Sequence, residues 1–344
     1  MHNPWDALRP GCTRKLYDAE QRGAGVAATV IVRWVAADAV KAGGLDALAE
    51  ARASGGAVWV DVSEPDKGTI ASLGDTFGLH PLAVEDVLHF PQRPKIDSYP
   101  DNLFIVWVVP QLTSGMAVRS DEIDVFLGKQ YVITVHRNHV EAIDEVASDA
   151  CGVLARGAEW TLHSILDRSV DEMFPIADQV GEELDRIEDE LLARVRESQL
   201  QELYRVKRVL LEMHKVIGPE RDVLRALARH DEFISQEAYL YFQDVGDHVA
   251  RVSDTIDTYR DVASSAMDIY LSAVSNRLNV VMKQLTVVAT IFMPLTLITG
   301  IYGMNLTTNM WPSPAYPWSF TAVIASFVVI TLSMLIVFKR RGWW

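Results

Sequence analysis

The chain has 344 residues, 49% of them hydrophobic and 23% charged, with a formal net charge of -14. That acidic balance argues against a nucleic-acid partner, which needs basic patches to meet phosphate, and suits cations. The average composition hides an asymmetry: residues 284–338 contain no Asp, Glu, Lys, Arg or His, a run too long for a soluble core helix and long enough for two membrane crossings.

Residues 1–25 carry Pro, Gly and mixed charge without periodicity and read as a loose lead-in. They hold no apolar stretch of signal-peptide type, so the soluble part is expected to stay in the cytoplasm. The two cysteines, Cys12 and Cys151, match no metal spacing and are expected as free thiols. Runs rich in β-branched and aromatic residues predict strands at 28–36, 57–63, 103–110, 121–128 and 131–136. Helical patterns lie near 38–53, 66–77, 81–89 and 139–155. Together these predict a cytoplasmic α/β domain over 26–158 whose sheet is partly antiparallel, with a turn at Gly128, Lys129 and Gln130.

From about residue 160 the strand signal vanishes. Val180, Leu184, Ile187 and Leu191 form one apolar stripe beside an acidic face. A second helix over 203–217 is predicted to end at Gly218-Pro219, so residues 159–243 read as a helical hairpin. Beyond it Val245, Val249, Val252, Ile256, Tyr259, Ala263, Ala266, Tyr270 and Ala273 alternate steps of four and three, the signature of a coiled-coil seam. This seam runs directly into the charge-free region. The expected layout is a stalk helix that continues as the first membrane helix over 244–303, an external loop at 304–318, a second membrane helix at 319–339, and a basic tail at 340–344. Arg277 and Lys283 precede the first span, and Lys339, Arg340 and Arg341 follow the second. Positive charge on both outer flanks places both termini in the cytoplasm, with Trp343 and Trp344 as interfacial anchors.

Two helices are too few to enclose a pore within one chain, and such a hairpin could equally be an anchor. Counting from Asp268, the seven-residue pattern gives Ser272, Ser275, Asn279, Met282, Thr286, Ala289, Met293, Thr296 and Gly300. Every one is small, polar or methionine. A polar stripe on a membrane helix normally faces water or a protein interior, while packing of helices through small residues is the alternative. Pro294 removes the bond to the Thr290 carbonyl and predicts a bend.

Immediately after the first span stand Tyr302, Gly303, Met304 and Asn305, and there the chain resembles the CorA family of magnesium channels. The resemblance extends over the runs 80–97, 166–192, 241–276 and 282–305, and is weakest at the N-terminus. It implies a homopentamer with a funnel-shaped cytoplasmic α/β domain, a helical stalk that continues as the pore, and an outer ring of second helices in the lipid of the cell membrane. It further implies a selectivity filter at Tyr302, Gly303, Met304 and Asn305. The implied pore and gate residues are Asp268, Asn279, Met282, Leu285, Met293 and Thr296. Intracellular Mg2+ is implied to bind between subunits at Asp86 and Asp244, with Glu85 at a second site, and to hold the channel closed. The cargo implied is hydrated Mg2+, with Co2+ or Ni2+ as further cations. Magnesium dehydrates reluctantly, so carbonyls and an Asn amide that bind the hydrated ion make a coherent filter.

The chain departs from the family in one place: residues 306–318 carry no charge where acidic residues often follow the Asn. Two rival readings are a zinc transporter of the related ZntB branch and a membrane-anchored ligand sensor in which the hairpin only tethers. No Gly-rich phosphate loop, nucleophile elbow or zinc-type His/Cys set points to an enzyme. His136 and His139 could share a metal only on a helix.

Overall fold

The structure is a computed structural model that describes residues 28–36, 39–304 and 316–343. It divides into two compact units, one of Met1–Leu192 with Arg196–Ala266, the other of Met267–Trp344 with Ala193–Val195. The expected loop at 304–318, the lead-in at 1–25 and the filter residue Asn305 lie wholly or mostly outside the described residues.

The first unit is built on a seven-stranded sheet of order β2-β1-β3-β7-β6-β5-β4. Its strands are β1 (Thr29–Ala36), β2 (Ala39–Gly43), β3 (Val58–Ser63), β4 (Lys95–Ser98), β5 (Leu103–Thr113), β6 (Ala117–Leu127) and β7 (Tyr131–His136). β3 and β7 run parallel and the other neighbouring pairs antiparallel. Five of these strands coincide with predicted runs. β2 was expected as the start of a helix; pairing with β1, from Ala36 opposite Ala39 outward, overrides the helical preference of Ala and Lys. The helical signal there belongs to a 3-10 turn at Leu45–Ala47 and α1 (Leu48–Ala53). β4 is a four-residue edge strand, too short to show alternation.

Alternation along the strands gives the sheet two buried faces. Val58, Val60, Val62, Phe104, Val106 and Phe126 face one core with α1, α2 (Lys67–Phe77) and α3 (Pro81–Leu88). Trp59, Ile105, Trp107 and Ile123, fully buried, stand on the opposite face, which packs against α6 (Ala158–Asp171) and α8 (Glu197–Leu227). The two short helices α4 (Glu141–Ser148) and α5 (Ala150–Leu154) pack on α6. Cys151 in α5 is disulfide-bonded, which corrects its reading as a free thiol.

The remaining helices are α7 (Met173–Ala193), α9 (Gln236–Gly303) and α10 (Ser319–Arg340). α8 does not end at Gly218-Pro219 but continues through Pro219 for two further turns. The proline removes one backbone bond, to Lys215; burial of Val216 and Ile217 before it, and of Val223, Leu224 and Leu227 after it, outweighs that loss. The predicted seam on α9 is buried, with Val245, Val249, Val252, Ile256, Ala263 and Ala266 at most 3% exposed. Its partners lie in the same chain. A Cβ added at Gly181 of α7 would collide with the Tyr259 hydroxyl, and His214 of α8 stands 3.4 Å from Asp257.

Candidate ion pathway and regulatory carboxylates

α9, which belongs to the second unit from Met267 on, and α10 are both long and apolar enough to cross a membrane, and neither buries its apolar stretch within the chain. α9 starts at Gln236, earlier than the expected stalk, and runs without a break through Pro294 to Gly303. Along its apolar part the half-buried positions are Lys283, Val287, Ile291, Pro294, Leu295, Ile298 and Tyr302, one face at helical spacing. α10 shows a matching set at 322–323, 326–327, 330–331 and 334–335, so the two helices lie side by side along these faces. Lys283 Nζ also donates to the Gly342 carbonyl at 2.8 Å and stands over the Trp343 ring.

The polar stripe lies on the other side of α9. Asn279, Met282, Thr286, Ala289, Met293, Thr296 and Gly300 are all exposed, as are Asp268 and Leu285. At 100° per residue the stripe is centred nearly opposite the face that meets α10. Small-residue packing between these two helices therefore does not account for it. The Thr286 and Thr296 hydroxyls donate to the Met282 and Phe292 carbonyls at 2.8 and 2.9 Å. Each side chain has thus spent its proton on the helix and presents an acceptor oxygen outward. Waters around a divalent cation point their hydrogens away from the ion, so an acceptor is the polarity they need. Tyr302 and Gly303 close α9, and Met304 follows with its N–H bonded to the Ile301 carbonyl.

The acids predicted as sensors sit in the first unit. α3 begins where His80 caps it through Nδ1 with Pro81 in the first turn, which sets Glu85 and Asp86 in its last turn. Glu85 is exposed. Asp86 has a partner the sequence reading missed: Lys95 Nζ lies 2.5 Å from Asp86 Oδ2 and 3.0 Å from Asp97 Oδ2. Burial works against the Lys95 charge, but the hydrogen bonds it donates to the two carboxylates outweigh it and hold its pKa above the ordinary value.

Asp244 on α9 is exposed and stands 3.9 Å from His248 Nε2 one turn on. Facing this pair, α6 presents His163, Asp167 and Asp171 at successive steps of four. Burial raises the pKa of Asp167, and Asp244 adds to the rise. Asp171 is raised by burial and by Asp167. His163 is pushed down to about 4, chiefly by burial. The His248 Nδ1 atom is buried without a hydrogen-bond partner. The negative charges of Asp244 and Asp167 oppose ionisation of the neighbouring α6 carboxylates. Sequence reasoning had named Asp244 alone; the four-residue spacing on both helices was the available signal. Among the described residues no group of three or more His, Cys, Asp or Glu could by itself hold a metal ion.

His136 and His139 do not share a site. His136 is buried against Asp61 and the Asn138 carbonyl, and His139 meets Asp144 at 3.2 Å.

The family described as CorA-like Mg2+ transporter protein matches residues 54–340. The chain belongs to the CorA family. The cobalt/magnesium transport protein CorA of Thermotoga maritima is 34% identical over 292 residues, 83% of each protein. The complete structure of the CorA magnesium transporter of Methanocaldococcus jannaschii superposes with a TM-score of 0.80 at 25% identity, covering 92% of this chain and 98% of that one. A zinc transport protein ZntB of Pectobacterium carotovorum is similar at 22% identity over 258 residues, 73% of this chain and 77% of that one. The CorA fold is thus this chain's fold: a mixed α/β unit, a long helix, and two apolar helices at the C-terminal end.

Proposed function

We propose that the chain is one subunit of a homopentameric channel in the cell membrane that passes Mg2+, and also Co2+ or Ni2+, into the cell with both termini cytoplasmic. The observation that carries this reading is the polar stripe of α9, exposed on the side away from α10 and continuing through Thr286, Ala289, Met293, Thr296 and Gly300 in the part of the helix, from Gln284 on, that carries no charge. A tether needs no such stripe, and a pore needs several copies of it around an axis. Thr296 and Asn279 meet the hydrated ion with polar groups. Met282, Leu285 and Met293 form apolar constrictions that gate by excluding water. Asp268 adds a ring of carboxylates on the cytoplasmic side. Tyr302, Gly303, Met304 and Asn305 form the filter at the outer end, where carbonyls and the Asn amide bind an ion that keeps its waters.

No chemical fuel is needed. A divalent ion entering a negative-inside cell gains roughly 2 × 2.3 kcal/mol per 100 mV, which drives uptake against a moderate gradient.

Closure is assigned to intracellular Mg2+ at the carboxylates of the first unit. A divalent cation between Asp86 of one subunit and Asp244 of its neighbour draws the two carboxylates together. Asp167 and Asp171 lie on α6 beside Asp244, and Glu85 is assigned to a second site. Because one chain supplies no complete ligand set among its described residues, waters and a second subunit would complete the coordination, as Mg2+ prefers. Loss of the ion loosens the subunits and opens the gate. The test is uptake into proteoliposomes of Mg2+, Co2+, Ni2+ and Zn2+, with and without Mg2+ on the cytoplasmic side. Mg2+ and Co2+ uptake that falls when cytoplasmic Mg2+ is present is the expected outcome. No flux of any divalent ion would remove the channel reading, and flux of Zn2+ alone would transfer it to the zinc branch.

A further inference from the structure

The Lys95 ammonium occupies the carboxylate to which the regulatory cation is assigned. It lies 2.5 Å from Asp86 Oδ2 and 3.0 Å from Asp97 Oδ2, with the Phe104 ring 5.3 Å away. The three side chains have unequal freedom. Asp86 is held by its backbone, whose carbonyl accepts from Gln92 Nε2 at 2.6 Å and from the His89 N–H at 2.9 Å. Lys95 and Asp97 are two apart on β4 and so share a face of that edge strand. A compact ammonium on a four-carbon stem can shift between two carboxylates while both stay in place. All three side chains are 33–41% exposed, so the ammonium can move without entering an apolar core.

We infer that Lys95 is a built-in counter-cation of Asp86 that moves onto Asp97 when a divalent cation takes Asp86, and that this exchange sets the cation concentration at which the sensor fills. The inference rests on the regulatory reading of Asp86 above and adds the competitor. A site already neutralised by an ammonium does not capture cations at trace concentrations. It fills only when the divalent ion outcompetes Lys95, the behaviour wanted of a sensor for an abundant ion. Asp97 is the second half of the device: by offering Lys95 another partner it lowers the cost of giving up Asp86.

The two halves predict shifts of opposite sign, which a merely structural role for either residue does not. The measurement is the thermal midpoint of the purified full-length protein in detergent, titrated with Mg2+, with Lys95→Met, Lys95→Arg, Asp97→Asn and Asp86→Asn beside the unaltered chain. Lys95→Met removes the competitor, and the Mg2+ concentration for half of the stabilisation falls roughly fivefold, the factor carried by a partly exposed ion pair. Asp97→Asn leaves Lys95 with Asp86 alone and raises that concentration by a similar factor. Lys95→Arg keeps the charge and stays near the unaltered value. Asp86→Asn loses the Mg2+ response. If Asp86→Asn keeps the full response, the regulatory reading itself fails and the exchange with it. If Asp86→Asn loses the response but Lys95→Met and Asp97→Asn shift in the same direction or not at all, the exchange alone is overturned. Should Lys95→Met fail to fold, the upward shift in Asp97→Asn with an unmoved Lys95→Arg decides the matter.

Discussion

Glu220 on α8 is completely buried, and its carboxyl has one partner, the N–H of Val108 at 3.3 Å. β4 begins at Lys95, opposite Val106, and does not reach Val108 of β5, whose N–H donates to Glu220 instead. Burial raises its pKa well above the ordinary 4.5, outweighing the Val108 bond, and the second oxygen has no partner. The folded chain therefore keeps a proton on Glu220 at pH values where the unfolded chain has lost it. The sign follows from linkage: native Glu220 binds more protons than unfolded Glu220 above pH 4.5, so stability falls as pH rises until the folded pKa is passed. The slope is about 1.4 kcal/mol per pH unit for one proton. Glu220→Gln is nearly isosteric with the neutral acid, keeps an acceptor for Val108, and cannot ionise. The variant should equal the original chain near pH 4.5 and gain over it by about 1.4 kcal/mol for each unit of pH within that window. Denaturant unfolding of the detergent-solubilised protein followed by Trp fluorescence, at several pH values, gives the difference directly, because the other titrating groups cancel between the two proteins. A variant that is less stable at neutral pH, or a difference that does not grow with pH, would refute the assignment of a buried neutral carboxyl.

Asp61 and His136 form the opposite case on the same face of the sheet. Burial works against both charges, but the 3.4 Å pairing of His136 Nε2 with Asp61 Oδ1, with the Thr134 hydroxyl also donating to Asp61, lowers the Asp61 pKa and raises that of His136. The His136 contribution is complete below pH 6.5 and is lost as pH rises through its higher folded value; Asp61→Asn should abolish that dependence and cost about 3–5 kcal/mol, measured by the same unfolding. Gly181→Val drives a side chain into the Tyr259 hydroxyl and should cost about 1–3 kcal/mol, with Tyr259→Phe in the same chain recovering part of it; no recovery would mean that the strain lies elsewhere. Asn305→Ala is expected to abolish ion uptake while leaving the oligomer intact by size-exclusion chromatography, and retained uptake would put the filter at other residues.

What the sequence showed and what it concealed divide along physical lines. The seam from Val245 to Ala266 was legible because every step of three or four lands on a buried residue except the half-buried Tyr259, and burial on a helix leaves a period. The charge-free run was legible because a bilayer tolerates few charges. Which elements the seam packs against was not legible, since a heptad looks the same whether its partner is α7 and α8 of the same chain or another copy. β2 and β4 were missed because short edge strands take their shape from pairing, and Pro219 misled because one lost backbone bond is a small term beside the burial around it. At the candidate site, Asp86 and Asp244 were reached through family resemblance. Lys95, nine residues from Asp86, and the α6 acids Asp167 and Asp171 were not, because the fold brings them together across elements.

The central claim is that the polar stripe of α9 lines the path of the ion. Its most direct test is potential-driven Mg2+ uptake into proteoliposomes by Thr296→Trp, on the stripe, beside Val288→Trp, exposed but off the stripe on the same helix. The account predicts that Thr296→Trp blocks uptake and Val288→Trp transports at close to the original rate. Free passage through Thr296→Trp, or a block only in Val288→Trp, would contradict it.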